Sequence, residues 1–207
     1  MSAGTAPRHI VIDDFLPPAR LVELDAQAAA QEPMLRKIDV GGAGEGRSYA
    51  ANRRLWQASV GLGPCEGWFT SAIASRLHDL FLGAGVPEIA VAEYEYELNA
   101  QFDGSFFDRH IDTAVASGAE RTTDRMLSVV FYFPQPGADF LGGELLLHPF
   151  VGSGEPTAIA PRRNRLVAFP SFAWHEVAPL LARDDGLRNA RLSVNCWLHR
   201  ARRPVAE

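Results

Sequence analysis

Cysteine is scarce in this chain: Cys65 and Cys196 are the only two among 207 residues. Two cysteines cannot build a disulfide framework or an all-thiolate metal site. A reducing cytoplasm is the compartment this composition predicts. Long apolar runs are lacking as well. No stretch approaches the ~20 apolar residues that cross a bilayer, so no membrane span is expected. The opening residues MSAGTAPRH carry no apolar core of the kind a secretory signal needs. An excess of positive charge is also missing. The net charge of −5 speaks against a general nucleic-acid binder, and the basic tail of Arg200, Arg202 and Arg203 reads as a solvated end. With no repeat and no low-complexity linker, the length suits one domain over 1–207. Its 47% hydrophobic content is enough for one good core.

What is present divides into two parts. HIVIDDFLPP reads as a short strand running into a turn at Pro17-Pro18. Leu21, Leu24 and Ala28 recur at helical spacing and predict a helix over 18–31. Trp68, Ile73, Leu77, Leu80 and Phe81 form a second stripe and predict a helix over 65–82. Between them DVGGAGEGRS, residues 39–48, reads as a glycine-rich loop. After Pro87 the pattern turns to strands, at 89–98, 106–112, 126–133, 144–148, 157–160, 166–169, 174–177 and 191–198. Turn signals such as Pro136-Gly137, Gly142-Gly143 and Asp185-Gly186 separate them. Helices followed by many short strands predict a mainly β fold, a barrel-like double sheet buttressed by N-terminal helices. Residues 1–87 would be the helical support and 88–200 the β core.

The last predicted strand has two unlike faces. Arg191, Ser193, Asn195 and Trp197 share one; Leu192, Val194, Cys196 and Leu198 share the other. The second face is apolar and belongs in a core, where Cys196 would be a buried thiol. The first is polar yet flanked by apolar sequence, so it is expected to line a cavity. Polar groups there need partners, and a bound anion would supply one for Arg191.

His110-Ile111-Asp112 places an imidazole and a carboxylate two residues apart, on one side of an extended segment. His175 follows the apolar run LVAFP on a separate predicted strand. Two imidazoles and a carboxylate can occupy one face of an octahedral iron(II) and leave the other open for a chelating acid and oxygen. HxD alone is weak, because a histidine in a β-rich domain is more often structural. His9, His78, His148 and His199 are read that way, His148 least securely.

In order, GSFFDRHID, RMLSVVFYF, GGELLLHPF, APRRNRLVAFPSFAWHEVAP and RLSVNCWLH resemble the prolyl 4-hydroxylase-like branch of the 2-oxoglutarate and iron(II)-dependent dioxygenases. The resemblance covers roughly residues 88–200, and IDDFLPP agrees more weakly. It implies a double-stranded β-helix, or jelly roll. It implies His110, Asp112 and His175 as iron ligands and Arg191 as the partner of the far carboxylate of 2-oxoglutarate. Tyr132 matches a tyrosine that assists that carboxylate, and Asn195 and Trp197 would line the pocket. The implied cofactors are Fe(II), 2-oxoglutarate and O2, with ascorbate as a candidate reductant. The implied reaction hydroxylates an aliphatic C–H bond of a prolyl residue or a small amino-acid-like molecule, releasing succinate and CO2.

Two departures stand out. LLARDDGLRN lengthens the interval between His175 and Arg191 and offers Arg183 and Arg188 as rival anion binders. Gln101 stands where many relatives have tyrosine, which puts a hydrogen bond near the cosubstrate in question. The segments 41–48 and 113–124 are lid candidates. The competing readings are a non-catalytic ligand-binding jelly roll and another cupin-like metalloenzyme, although no HxH precedes Glu144. Peptide, protein and small-molecule substrates all fit the same core, and oligomeric state is not legible.

Overall fold

Nine strand expectations and one helix expectation correspond to elements of the computed structural model, which describes residues 6–37, 56–113, 122–151 and 154–202, with backbone alone for 36–37 and 56–60. β1 (Ile10–Asp13) turns through the two prolines into α1 (Pro18–Gln31). β2 (Arg36–Lys37) and β3 (Trp56–Val60) precede α2 (Glu66–Ala74) and α3 (Leu77–Ala84). Strands then follow: β4 (Val91–Gln101), β5 (Phe107–His110), β6 (Thr123–Tyr132), β7 (Phe140–Gly142) and β8 (Leu145–Leu147). The last are β9 (Thr157–Ile159), β10 (Arg165–Pro170), β11 (His175–Val177), β12 (Leu180–Ala182) and β13 (Arg191–Ala201). Among the described residues no helix is long and apolar enough to cross a membrane.

The expected helix over 65–82 is two helices. Arg76 departs from helical geometry with φ −120° and ψ 8°, and α3 starts after it. Hydroxyls cause local competition here. Thr70, Ser71 and Ser75 each donate to a carbonyl of the preceding turn, an alternative to regular helix hydrogen bonding. The strands β2, β3, β7 and β12 were not expected; each is five residues or fewer and makes a poor periodic signal. The proposed loop over 39–48 and residues 114–121 of the second lid candidate lie outside the described residues.

Two antiparallel sheets form the jelly roll. The larger runs β1-β10-β6-β13-β4-β3-β2, and the smaller β5-β11-β8-β9, with β12-β7 as a separate pair. Period-two alternation in the central strands feeds two cores. Leu192, Val194, Cys196 and Leu198 of β13, Leu127, Val129 and Phe131 of β6, and Tyr96, Leu98 and Ala100 of β4 face the helices. There they meet Leu24 and Ala28 of α1, Phe69 and Ile73 of α2, and Leu80 and Phe81 of α3. Phe69 packs edge-on against Phe131, with centroids 5.6 Å apart. The opposite face of the large sheet looks at the small one. Val167, Phe169, Leu145, Leu147 and Ile159 fill one part of the space between them. The rest of that space is the polar cavity described next.

Candidate active site

β5 ends at His110, and His110 is the cross-strand partner of His175, the first residue of β11. This pairing alone brings two distant imidazoles together, with ring centroids 4.1 Å apart. Asp112 lies past the end of the strand, so strand phase does not place it. Backbone hydrogen bonds do: the N–H groups of Asp112 and Thr113 both donate to the Ser171 carbonyl, at 2.8 and 3.0 Å. The carboxylate then reaches both rings. His110 Nε2 is 3.7 Å from Asp112 Oδ1 and His175 Nε2 is 3.6 Å from Asp112 Oδ2. One donor atom from each side chain lies within 4.8 Å of the other two.

The surroundings fix which atoms face inward. His110 Nδ1 is 2.8 Å from the Asp108 carbonyl and His175 Nδ1 is 2.9 Å from the Ala173 carbonyl. A carbonyl can only accept, so each Nδ1 carries the proton and each Nε2 offers a lone pair. Ser128 donates to Asp112 Oδ2 at 2.6 Å, and Ser171 Oγ lies 2.9 Å from Ser128 Oγ. These bonds hold the carboxylate in place. Neutral imidazoles with a carboxylate form a donor set that suits ferrous iron.

Burial holds the His175 imidazole down at about 4, only partly offset by the Asp112 carboxylate. Burial also opposes ionisation of Asp112, but the two histidines and Ser128 outweigh it and hold that carboxyl well below its usual range. Both shifts leave the side chains in the states that bind a metal at neutral pH. They also bear on stability. Between pH 4 and the ordinary histidine value of 6.5 the unfolded chain binds a proton at His175 that the folded chain does not. Stability therefore falls as pH drops through that window. For metal-free protein the loss on going from pH 7 to pH 5 should be about 2 kcal/mol. Urea unfolding at the two pH values measures it, and His175→Ala should flatten the difference. An equally steep loss in that variant would assign the effect elsewhere.

The polar face of β13 leads to the second part of the cavity. Arg191 is 2% exposed. Its Nε donates to the Gly143 carbonyl at 2.7 Å, Nη1 to Gln101 Oε1, and Nη2 lies 3.4 Å from the Tyr132 hydroxyl. No carboxylate among the described residues forms a salt bridge with it. Arg165, a buried arginine opposite Tyr132 in the same sheet, behaves differently: it binds Asp13 in a two-pronged pair at 2.6 and 2.8 Å. Burial lowers the pKa of Arg191 and raises that of Tyr132. A guanidinium nevertheless stays charged in a protein, so Arg191 is a buried cation supported by neutral groups.

His110, Asp112, His175, Arg191, Tyr132, Asn195 and Trp197 all line one cavity of about 380 Å³. Arg183 and Arg188 do not; they border a separate surface cleft with Asp139 and Asp184. His148 stands outside the cavity lining, with Nε2 3.4 Å from Glu176 Oε1. The HxD…H donors, the buried arginine and the jelly roll match what is known of one group of proteins. A family model described as the 2OG-Fe(II) oxygenase superfamily matches residues 92–199. The chain belongs to that family.

The matched segment runs from β4 into β13, so this oxygenase carries the family pattern on the strands that build the cavity. An uncharacterized PKHD-type hydroxylase of Synechocystis is 29% identical over 135 residues, 62% of this chain and 43% of that protein. The match spans less than half the length of that relative. Among solved structures, a prolyl-4-hydroxylase of Pseudomonas putida superposes with a TM-score of 0.65 at 23% identity, covering 95% of this chain and 94% of the other. A Trichoplax adhaerens prolyl hydroxylase in complex with a hypoxia inducible factor peptide fragment superposes with a TM-score of 0.66 at 18% identity, over 93% and 83% of the two chains. These likenesses establish the shared fold.

Several cavity groups escaped sequence reading. Ser128 had a faint signal, since it is in phase with Val130 and Tyr132 in RMLSVVFYF. Arg125 had none. Its guanidinium lies 3.8 Å from the Trp197 ring centre and is held by Glu95, which His199 also contacts at 2.8 Å. Gly143 was expected only to turn the chain. Its φ is +69°, and a Cβ there would stand 2.8 Å from Arg191 Cδ. The position is thus glycine both for its backbone and for the arginine seated against it.

Proposed function

We propose that this oxygenase is a hydroxylase of aliphatic C–H bonds that uses Fe(II), 2-oxoglutarate and O2. His110, Asp112 and His175 would hold the ion. Arg191, assisted by Tyr132, would hold the far carboxylate of 2-oxoglutarate, while Asn195 and Trp197 wall the same pocket. One observation carries this assignment: a buried guanidinium with no carboxylate partner among the described residues shares a cavity with three convergent donors of the iron-binding type. A dicarboxylic oxo acid bridges two such features, chelating at one end and pairing at the other.

Iron and 2-oxoglutarate, when bound, supply the oxidising chemistry: the substrate C–H, O2 and 2-oxoglutarate become C–OH, succinate and CO2. The chain supplies position. The Nδ1–carbonyl bonds aim both imidazoles, Ser128 orients the Asp112 carboxylate, and Gly143 and Gln101 hold Arg191 flat. Apolar walls from Phe169, Leu145 and Val130 keep water out. A prolyl residue in a peptide is the first substrate class to test, because the fold is shared with prolyl hydroxylases and one of those was solved with a peptide. A small amino-acid-like molecule is the second. The two free, buried cysteines suit a reducing cytoplasm.

Anaerobic Fe(II) followed by 2-oxoglutarate should generate a weak visible charge-transfer band. In air, with ascorbate as reductant, succinate release should rise when proline-containing peptides or free amino acids are supplied. Folded protein that gives no band would favour a non-catalytic ligand-binding jelly roll or a different metalloenzyme.

A further inference from the structure

Single apolar side chains scattered over a surface are ordinary. The exposed aromatic ones here are not scattered. Among the residues whose side chains are described, the exposed phenylalanine, tyrosine and tryptophan residues are Phe150, Phe172 and Trp174, at 48, 47 and 41%. They lie together. Phe150 and Phe172 stack with centroids 5.7 Å apart and 29° between their planes. Trp174 carries the Arg109 guanidinium 5.4 Å from its ring centre. Phe150 follows the end of β8, and the other two rings stand in the β10–β11 turn. The two segments are joined by the His148 N–H, which donates to the Trp174 carbonyl at 2.9 Å.

The backbone under this strip is fixed. Ser171, Ala173 and His175 are buried and alternate with the exposed rings. The Ala173 N–H donates to the Pro170 carbonyl at 2.8 Å, and the Ser171 carbonyl is the one that accepts from Asp112 and Thr113. The strip therefore stands on the scaffold of the metal donors. Trp174 precedes His175 and Arg109 precedes His110, each by a single residue, or about 3.8 Å along the chain. Arg109 also lines the cavity, and its guanidinium has no salt bridge among the described residues. Clustered exposed rings edged by such a cation mark a recognition surface.

We propose that this strip is a docking surface, outside the cavity, for the part of a peptide substrate that flanks the reacting residue. The segment it fits is proline-rich and carries an acidic side chain. Proline-rich chain is already extended and stiff, so it packs on exposed aromatic faces at little ordering cost. A carboxylate complements Arg109, and Arg109 joins the strip to the cavity that the reacting residue enters. A free amino acid would leave the rings uncovered. The inference rests on the hydroxylase reading and selects the peptide from its two substrate classes.

The full chain, loaded with Fe(II) and 2-oxoglutarate, is titrated anaerobically against a fluorescein-labelled oligoproline peptide ending in aspartates. Anisotropy reports binding, and a glycine-serine peptide of equal length and charge is the comparison. The oligoproline should bind at least about tenfold more tightly. Phe150→Ser and Phe172→Ser, made singly, should each raise its Kd about tenfold. Arg109→Gln should weaken binding severalfold only when the aspartates are present. Neither phenylalanine lines the cavity, so both serine variants should keep the parent's charge-transfer band, and thermal unfolding checks that they fold. Equal affinity for the two peptides, or parent-like affinity in both serine variants, would overturn the docking role. So would a dimer in sedimentation that either variant dissociates while peptide binding persists, because the strip would then be a subunit interface. The two readouts are separate: absence of the band defeats the hydroxylase reading, whereas a normal band without peptide binding confines the failure to the strip.

Discussion

His175→Ala should abolish the anaerobic charge-transfer band and reduce succinate formation by at least about a thousandfold. The magnitude follows from what is removed. His175 is one of the three convergent donors and is 5% exposed. Two donors from one short segment cannot hold an ion in a fixed geometry. Metal assistance is worth several kcal/mol, and ~4 kcal/mol is a thousandfold in rate. Metal content after desalting should fall in parallel. His148→Ala is the control. That ring lies near enough to influence His175 but takes no place among the three donors, so turnover should stay within severalfold of the parent. A His175→Ala protein that is folded, retains iron and turns over would remove the metal-centre assignment.

The second large effect is expected at Arg191. Arg191→Met should raise the Kd for 2-oxoglutarate roughly a hundred- to ten-thousandfold. Two charge-assisted hydrogen bonds to a carboxylate contribute ~1.5–3 kcal/mol each, and each 1.4 kcal/mol is tenfold in affinity. Arg191→Lys should recover only part of this, because an ammonium is a point charge without the planar fork. Fold stability should change less than affinity. Methionine forfeits the bonds to Gly143, Gln101 and Tyr132, but it also removes a buried charge that has no salt bridge among the described residues. Arg183→Met and Arg188→Met should bind normally, since both residues border a different cleft. Isothermal titration of the iron-loaded variants separates these outcomes. Normal affinity in Arg191→Met would send the search for the anion anchor to the loop arginines.

Much of the fold was legible because it depends on local period. The helix over 18–31 starts at a proline and keeps Leu21, Leu24 and Ala28 on one side, and the structure places it at Pro18–Gln31. The alternation in 191–198 separated a greasy face from a polar one before any sheet was known, and β13 turns its leucines, valine and cysteine to the helices. Where local signals compete, legibility ended. Ser75 and Arg76 interrupt an apolar stripe that is continuous in sequence. β7 and β12 pair only with each other, across an interval that no periodicity reveals.

By itself the sequence determined which side chains are available: one HxD, a later histidine, an arginine in phase with a polar strand face, and no cysteine set to compete for a metal. Side-chain type and period are local properties, readable along the chain. Only the tertiary structure decided how they are used. The β5–β11 register brings His110 to His175, and two backbone hydrogen bonds to Ser171, beyond the reach of strand phase, place Asp112. Among the described residues the fold gives Arg191 no salt bridge while pairing Arg165 with Asp13, and it makes Gln101 and Gly143 the supports of Arg191. Such contacts join residues 48 to 152 positions apart, and their energy depends on burial, which is a property of the folded whole.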